Sequence, residues 1–151
     1  MTPPTPPTRP DVGRDRPIGY WVKRIDRGVE DDFARLLAAE GLDRRGWQVL
    51  NTLARAPGGA DDLDAALAPF LDDAVPTVTP YAEALVTRGW AHRTGPTYAL
   101  TADGTTAHTR VAAAVRAARA RIIDGLTADD YDTLLRLLER VAANLGPAPG
   151  E

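Results

Sequence analysis

Hydrophobic positions along this chain follow two successive rhythms, and their order predicts a mainly α-helical molecule with one small hairpin. From Ile18 to Glu40 apolar side chains recur at helical spacing (Ile18, Val22, Ile25, Val29, Phe33, Leu36, Leu37), which makes one face of a long amphipathic helix. Gly41 closes that helix, because glycine readily takes the left-handed conformation helix ends require. A second helix opens at Asp43, an N-cap residue, and carries Trp47, Leu50, Leu53 and Ala54 until Ala56-Pro57-Gly58-Gly59 ends it. A short third helix has Asp61 or Asp62 near its cap and Leu63, Leu67, Phe70 and Leu71 directed inward. Pro69 predicts a kink or an early stop there. Beyond Asp72-Asp73 a fourth helix carries Val78, Ala82, Leu85 and Val86 and closes at Gly89. Two short helices joined by a tight turn read as a helix-turn-helix.

The period then shortens. Trp90 to Arg93 and Thr97 to Leu100 are two extended runs around a Thr94-Gly95-Pro96 turn, and a hairpin directly after a helix-turn-helix is a wing. Helical spacing returns from Ala102 to Asp124, with Val111, Val115, Ala118 and Ile122 on one stripe and four arginines off it. Gly125 ends this helix, Thr127 caps the next, and Tyr131, Leu134, Leu135, Leu138, Val141 and Leu145 line the last.

The stripes on the first helix and the last two are longer than a small winged lobe can cover. The economical partner is a second copy across a two-fold axis, so a homodimer is expected. Residues 18–145 then form one domain, with 18–42 and 102–145 as dimerisation helices and 43–101 as the winged lobe. Residues 1–17, rich in Thr-Pro-Pro, read as a disordered tail whose arginines are solvated or reach a minor groove as an arm. Residues 146–151 form a second tail.

Composition narrows the function. The chain has no cysteine and no serine, no Gly-Lys-Ser/Thr phosphate loop around its one lysine, Lys23, and no glycine-rich dinucleotide fingerprint, so an enzyme is not expected. His92 and His108 lack ligand-spaced acidic partners, so neither a metal nor any other cofactor is expected. No apolar run approaches the roughly 20 residues of a membrane helix, and residues 1–10 lack the apolar core of a secretory signal. A cytoplasmic protein without membrane partners is expected.

Charge complicates matters. The chain carries −3 overall. Residues 1–30 hold six basic residues against four acidic, whereas residues 43–104 hold five (Arg44, Arg45, Arg55, Arg88, Arg93) against eight. The lobe containing the helix-turn-helix is therefore acidic as a whole, opposite to the usual footprint of a DNA binder. Glu83, within its second helix, either pairs with an arginine or accepts from a cytosine amine. The acidic clusters at Glu30-Asp31-Asp32, residues 61–64 and Asp129-Asp130 read as helix N-termini or solvated faces.

In this order the segments resemble the MarR family of bacterial winged-helix regulators. The resemblance spans roughly residues 18–145. It is carried by Gly41 through Leu50, by Leu67-Ala68 with Thr77-Val78-Thr79, by Leu85 through Trp90, by Leu100-Thr101-Ala102-Asp103-Gly104, and by Gly125-Leu126-Thr127. It implies a DNA-binding transcriptional regulator, a repressor, acting as a homodimer on a pseudo-palindromic operator in double-stranded DNA and released by a small aromatic effector. DNA contacts are then expected from Thr77, Thr79, Tyr81, Arg88, Arg93, Arg44 and Arg45. An effector pocket is expected from Tyr20, Trp21, Arg24 and Trp47, an aromatic wall with one cation; the same residues would also serve as core or dimer packing. The chain departs from the family where basic side chains are usual. Pro80 and Ala84 stand on the recognition helix, and the wing shrinks to Arg93-Thr94-Gly95-Pro96-Thr97 with no arginine at its tip. Phosphate neutralisation supplies much of DNA affinity. An alternative is therefore a winged-helix dimer with weakened DNA binding that acts as a ligand-binding or protein-interaction module.

Overall fold

The computed structural model describes residues 16–147, and among these it forms six α-helices, one 3-10 turn and three short strands. The expected tails at 1–15 and 148–151 lie outside the described residues. The chain divides into two compact units, the first running to Ala112 and the second beginning at Ala113.

In the first unit α1 spans Ile18–Ala39 and α2 spans Arg44–Arg55. The corner between them is a Schellman ending: Leu42 N–H donates to Leu37 O (2.9 Å) and Gly41 N–H to Ala38 O (2.9 Å), with Gly41 at φ +68°. Leu37 and Leu42 are both buried at this corner. Asp43 caps α2 by accepting from Gly46 N–H at 2.7 Å.

Gly58-Gly59, expected only to end α2, is instead strand β1. It pairs antiparallel with β3 (Thr97–Leu100), which pairs on its other side with β2 (Ala91–Thr94), so the sheet order is β1-β3-β2. Two glycines carry no strand propensity; the pairing arises because β3 offers its second edge to whatever backbone lies beside it. Two residues, Gly95 and Pro96, join β2 to β3, with Gly95 at φ +57°. A positive φ at the first loop position suits the twist of paired strands.

Helix α3 is Ala60–Ala66, followed by a 3-10 turn at Ala68–Phe70, the early stop that Pro69 predicts. Phe70 corrects the expectation for this segment: it is 47% exposed, because the change from α to 3-10 geometry rotates it off the face of Leu63 and Leu67. Ala54, on α2, is likewise exposed, and Val49 takes the inward place. Helix α4, Thr79–Thr87, starts at Thr79 with Pro80 in its first turn, where the missing N–H leaves no hydrogen bond unmade. A second Schellman ending, Trp90 N–H to Leu85 O at 2.9 Å with Gly89 at φ +82°, turns the chain into the wing. The core of this unit is Leu37, Val49, Leu50, Leu53, Leu63, Val78, Ala82, Leu85 and Tyr98, with Ala107 and Val111 from α5 (Ala102–Ile122).

In the second unit, α5 runs on past Val115 and Ala118, both buried, to Ile122, which is exposed. Helix α6, Ala128–Asn144, opens on a capping box in which Asp130 N–H donates to Thr127 Oγ1 (3.1 Å) and Thr127 N–H to Asp130 Oδ2 (3.0 Å). No residue of α6 is buried. Among the described residues no helix is long and apolar enough to cross a membrane.

Candidate nucleic-acid interface

Helix α4 is set by a carboxylate from the preceding helix. Asp64 on α3 accepts from Val78 N–H (2.8 Å) and from the Thr77 hydroxyl (2.8 and 3.0 Å). A hydroxyl has one proton to donate. With that proton committed to Asp64, Thr77 Oγ1 acts only as acceptor toward Thr79, receiving its N–H at 3.2 Å and its hydroxyl at 3.0 Å. Thr77, expected to touch DNA, has its hydroxyl bonded within the turn. Thr79 spends its own proton on Thr77, so any further bond its hydroxyl makes is as an acceptor. Asp64 is the residue that the sequence reading left among solvated acids: its partners lie 13 and 14 positions away, and no local signal announces them.

The outer face of α4 carries Pro80, Ala84 and Thr87, all exposed, with Tyr81 and Glu83 half-buried at its margins. No arginine or lysine occurs between Thr79 and Thr87. The arginines expected at the interface all have partners within the protein. Arg88 donates to Gly41 O at 3.0 Å and to Glu40 O, capping the carbonyl end of α1, and lies 3.6 Å over the Trp90 ring. Arg44 pairs with Glu30 and lies 5.0 Å over Phe33. Arg45 donates to Gln48 at 2.9 Å and lies 5.7 Å from the Phe70 ring. Arg93, on the wing, donates through Nε to Gly95 O (2.9 Å) and through Nη1 to Glu83 Oε1 (3.2 Å). Glu83 therefore takes the ion-pair role. The same carboxylate oxygen accepts from the buried Tyr98 hydroxyl, and that bond, more than burial, raises the Tyr98 phenol above the usual tyrosine range. Behind the interface, Arg110 on α5 holds Glu40 at 2.8 Å, which lowers the Glu40 carboxyl from its ordinary value.

The four residues expected to form an effector pocket do not converge. Tyr20, Trp21 and Arg24 line a hollow of about 660 Å3 along α1, and Tyr20 meets Trp21 edge-on at 5.2 Å. Trp47 instead stacks on His108 of α5, with rings 5.4 Å apart and 10° from parallel, while His108 Nε2 lies 2.9 Å from Asn51 Oδ1. Trp47 is held against α5 by His108 and is not among the residues that line the hollow on α1. Another hollow, of about 490 Å3, lies directly beside α4, between Tyr81, Pro80 and Arg88 on one side and Gly41, Asp43 and Gly46 on the other.

This arrangement has solved counterparts. The MarR family protein Rv2887 of Mycobacterium tuberculosis superposes with a TM-score of 0.64 at 28% identity, over 85% of this chain and 95% of that one. The chain has the winged-helix fold of the MarR proteins. Rv2887 in complex with DNA aligns at TM-score 0.63 and 26% identity, over 84% of this chain and 98% of that one. MarR of E. coli in its reduced form shares the fold at TM-score 0.60 and 21% identity, over 85% and 96% of the two chains. No family model and no curated protein matches the chain in sequence. In this chain the outer face of α4 is uncharged and the wing is short and self-paired.

Proposed function

We propose that this protein is a DNA-binding transcriptional regulator that works as a homodimeric repressor on a pseudo-palindromic operator and is released by a small aromatic acid. The observation that carries the reading is the presentation of α4 beside the wing, in a lobe that aligns with the DNA-bound Rv2887 structure. In such a dimer the two α4 helices enter successive major grooves, about 34 Å apart. Thr79, with its proton spent on Thr77, acts as an acceptor; that suits the exocyclic amine of adenine or cytosine and does not suit a phosphate, which has only acceptors. Tyr81 reaches a thymine methyl or a base edge from the same turn.

Dimerisation is supported by bare apolar faces on helices that contribute little or nothing to a core. Ile18, Trp21, Val22 and Ile25 are exposed on α1, Ile25 at 57%. Leu134, Leu137 and Leu138 are exposed on α6, Leu137 at 60%. The aromatic effector is supported by Rv2887 structures with salicylic acid and with p-aminosalicylic acid, at 26% and 25% identity. The hollow between Tyr81, Arg88 and Gly46 adjoins the reader, so a ligand there would compete with α4's seat in the groove.

The test is a mobility shift at low salt with fragments from upstream of the protein's own gene, followed by selection from a randomised duplex library. Specific retardation is expected, with adenine or cytosine selected under Thr79 and that preference lost in Thr79→Val. Equal retention of every duplex would refute the reading. A second reading, a winged-helix dimer serving as a ligand-binding or protein-interaction module, is favoured by the pairing of Arg44, Arg45, Arg88 and Arg93 within the protein. Thermal stabilisation by salicylate in a protein that retains no duplex would decide for it.

A further inference from the structure

Glu83 is the only charged residue in α4, and Arg93 is the only arginine or lysine between Ala91 and Leu100. The two are bound to each other at 3.2 Å. Tyr98, nearly fully buried, fixes the Glu83 carboxylate from beneath, and the Gly95 carbonyl fixes the Arg93 guanidinium from the turn. Both side chains of the pair remain about half exposed, Arg93 at 54% and Glu83 at 46%. Such a pair is weak in water and open to exchange.

Given the DNA-binding reading above, we infer that Glu83 is a built-in competitor of the DNA backbone for Arg93, and that it sets the operator affinity of this protein low. A phosphate that takes Arg93 leaves the Glu83 carboxylate, anchored by Tyr98, facing the same duplex. Each subunit then exchanges one ion pair for another and neutralises no additional charge. Counterion release, which drives DNA binding and gives it its salt dependence, gains nothing from the wing. Glu83 acts through Arg93 and is a positioning residue; it need not touch a base.

The experiment measures Kd for the selected operator across a salt series in the wild-type protein, Glu83→Gln, Arg93→Ala and the double variant. Glutamine keeps an oxygen for the Tyr98 hydroxyl and removes the charge. Glu83→Gln is expected to bind several-fold more tightly, with a log Kd against log salt slope steeper by about 0.9 per subunit, one phosphate contact each. Arg93→Ala alone leaves the Glu83 charge unpaired toward the duplex and is expected to bind no tighter than wild type, and in the Glu83→Gln background it should abolish the gain. A merely structural role for Glu83 moves stability and leaves the slope unchanged. An unchanged slope in Glu83→Gln, or a gain that persists in the double variant, overturns the inference while the DNA-binding reading stands. Failure of wild type and Glu83→Gln alike to retain any duplex at the lowest salt overturns both.

Discussion

The winged lobe and the terminal helices use similar amounts of apolar sequence to opposite ends. In the lobe, Leu50, Val49 and Val78 are fully buried, and polar groups are bound to one another, as in the Asp64-Thr77-Thr79 relay. On α6 every residue is accessible, including five leucines and Val141 (Leu134, Leu135, Leu137, Leu138 and Leu145 at its C-cap). Hydrophobic periodicity thus marks faces that must be covered without saying by what. The lobe covers its own; the helices at either end of the chain leave much of theirs accessible.

That contrast can be broken from either side. Leu50→Ala empties a site with no exposure and should cost about 2–5 kcal/mol, read by denaturant unfolding at any protein concentration. Leu138→Asp should leave the lobe folded and weaken self-association by roughly a hundredfold, about 3 kcal/mol, in sedimentation equilibrium. Equal dimerisation in that variant would mean that α6 does not carry the interface. Gly104→Ala tests how tightly α5 is seated on the lobe. A Cβ there would lie 1.8 Å from the Trp90 carbonyl oxygen, so the start of α5 must shift, at an expected cost of about 1–3 kcal/mol in thermal unfolding.

The smallest effect is one of pH. The Tyr98 phenol ionises above the usual tyrosine range because its proton is donated to Glu83. A raised folded-state value contributes stability that is complete below the ordinary tyrosine range and is lost as pH rises through the raised value. Denaturation midpoints should fall in strong alkali, and Tyr98→Phe should remove that component. If the alkaline fall persists in Tyr98→Phe, the link between wing and reader helix lies elsewhere.

Much of the architecture could be read from residue order alone. Six helices with their ends at Gly41, Gly89 and Gly125 and the hairpin around Gly95-Pro96 all depend on interactions within a few residues of one another. Local rules reach that far, because backbone sterics and capping act over one helical turn or one hairpin loop. The Glu83 pairing was also among the readings open from the sequence, as an acid placed on a helix with arginines nearby.

Partner choice was another matter. Gly58-Gly59 became a strand because β3 lay alongside it, and Trp47 left the supposed effector wall because α5 offered His108. Thr77 met Asp64, 13 positions back, and Arg88 met the end of α1, 47 and 48 positions away. Each of these contacts joins residues far apart in the chain, whose meeting follows from how the elements pack. Residue type and spacing carry no record of which of several arginines will find a carbonyl, a ring or a carboxylate once the chain has closed upon itself.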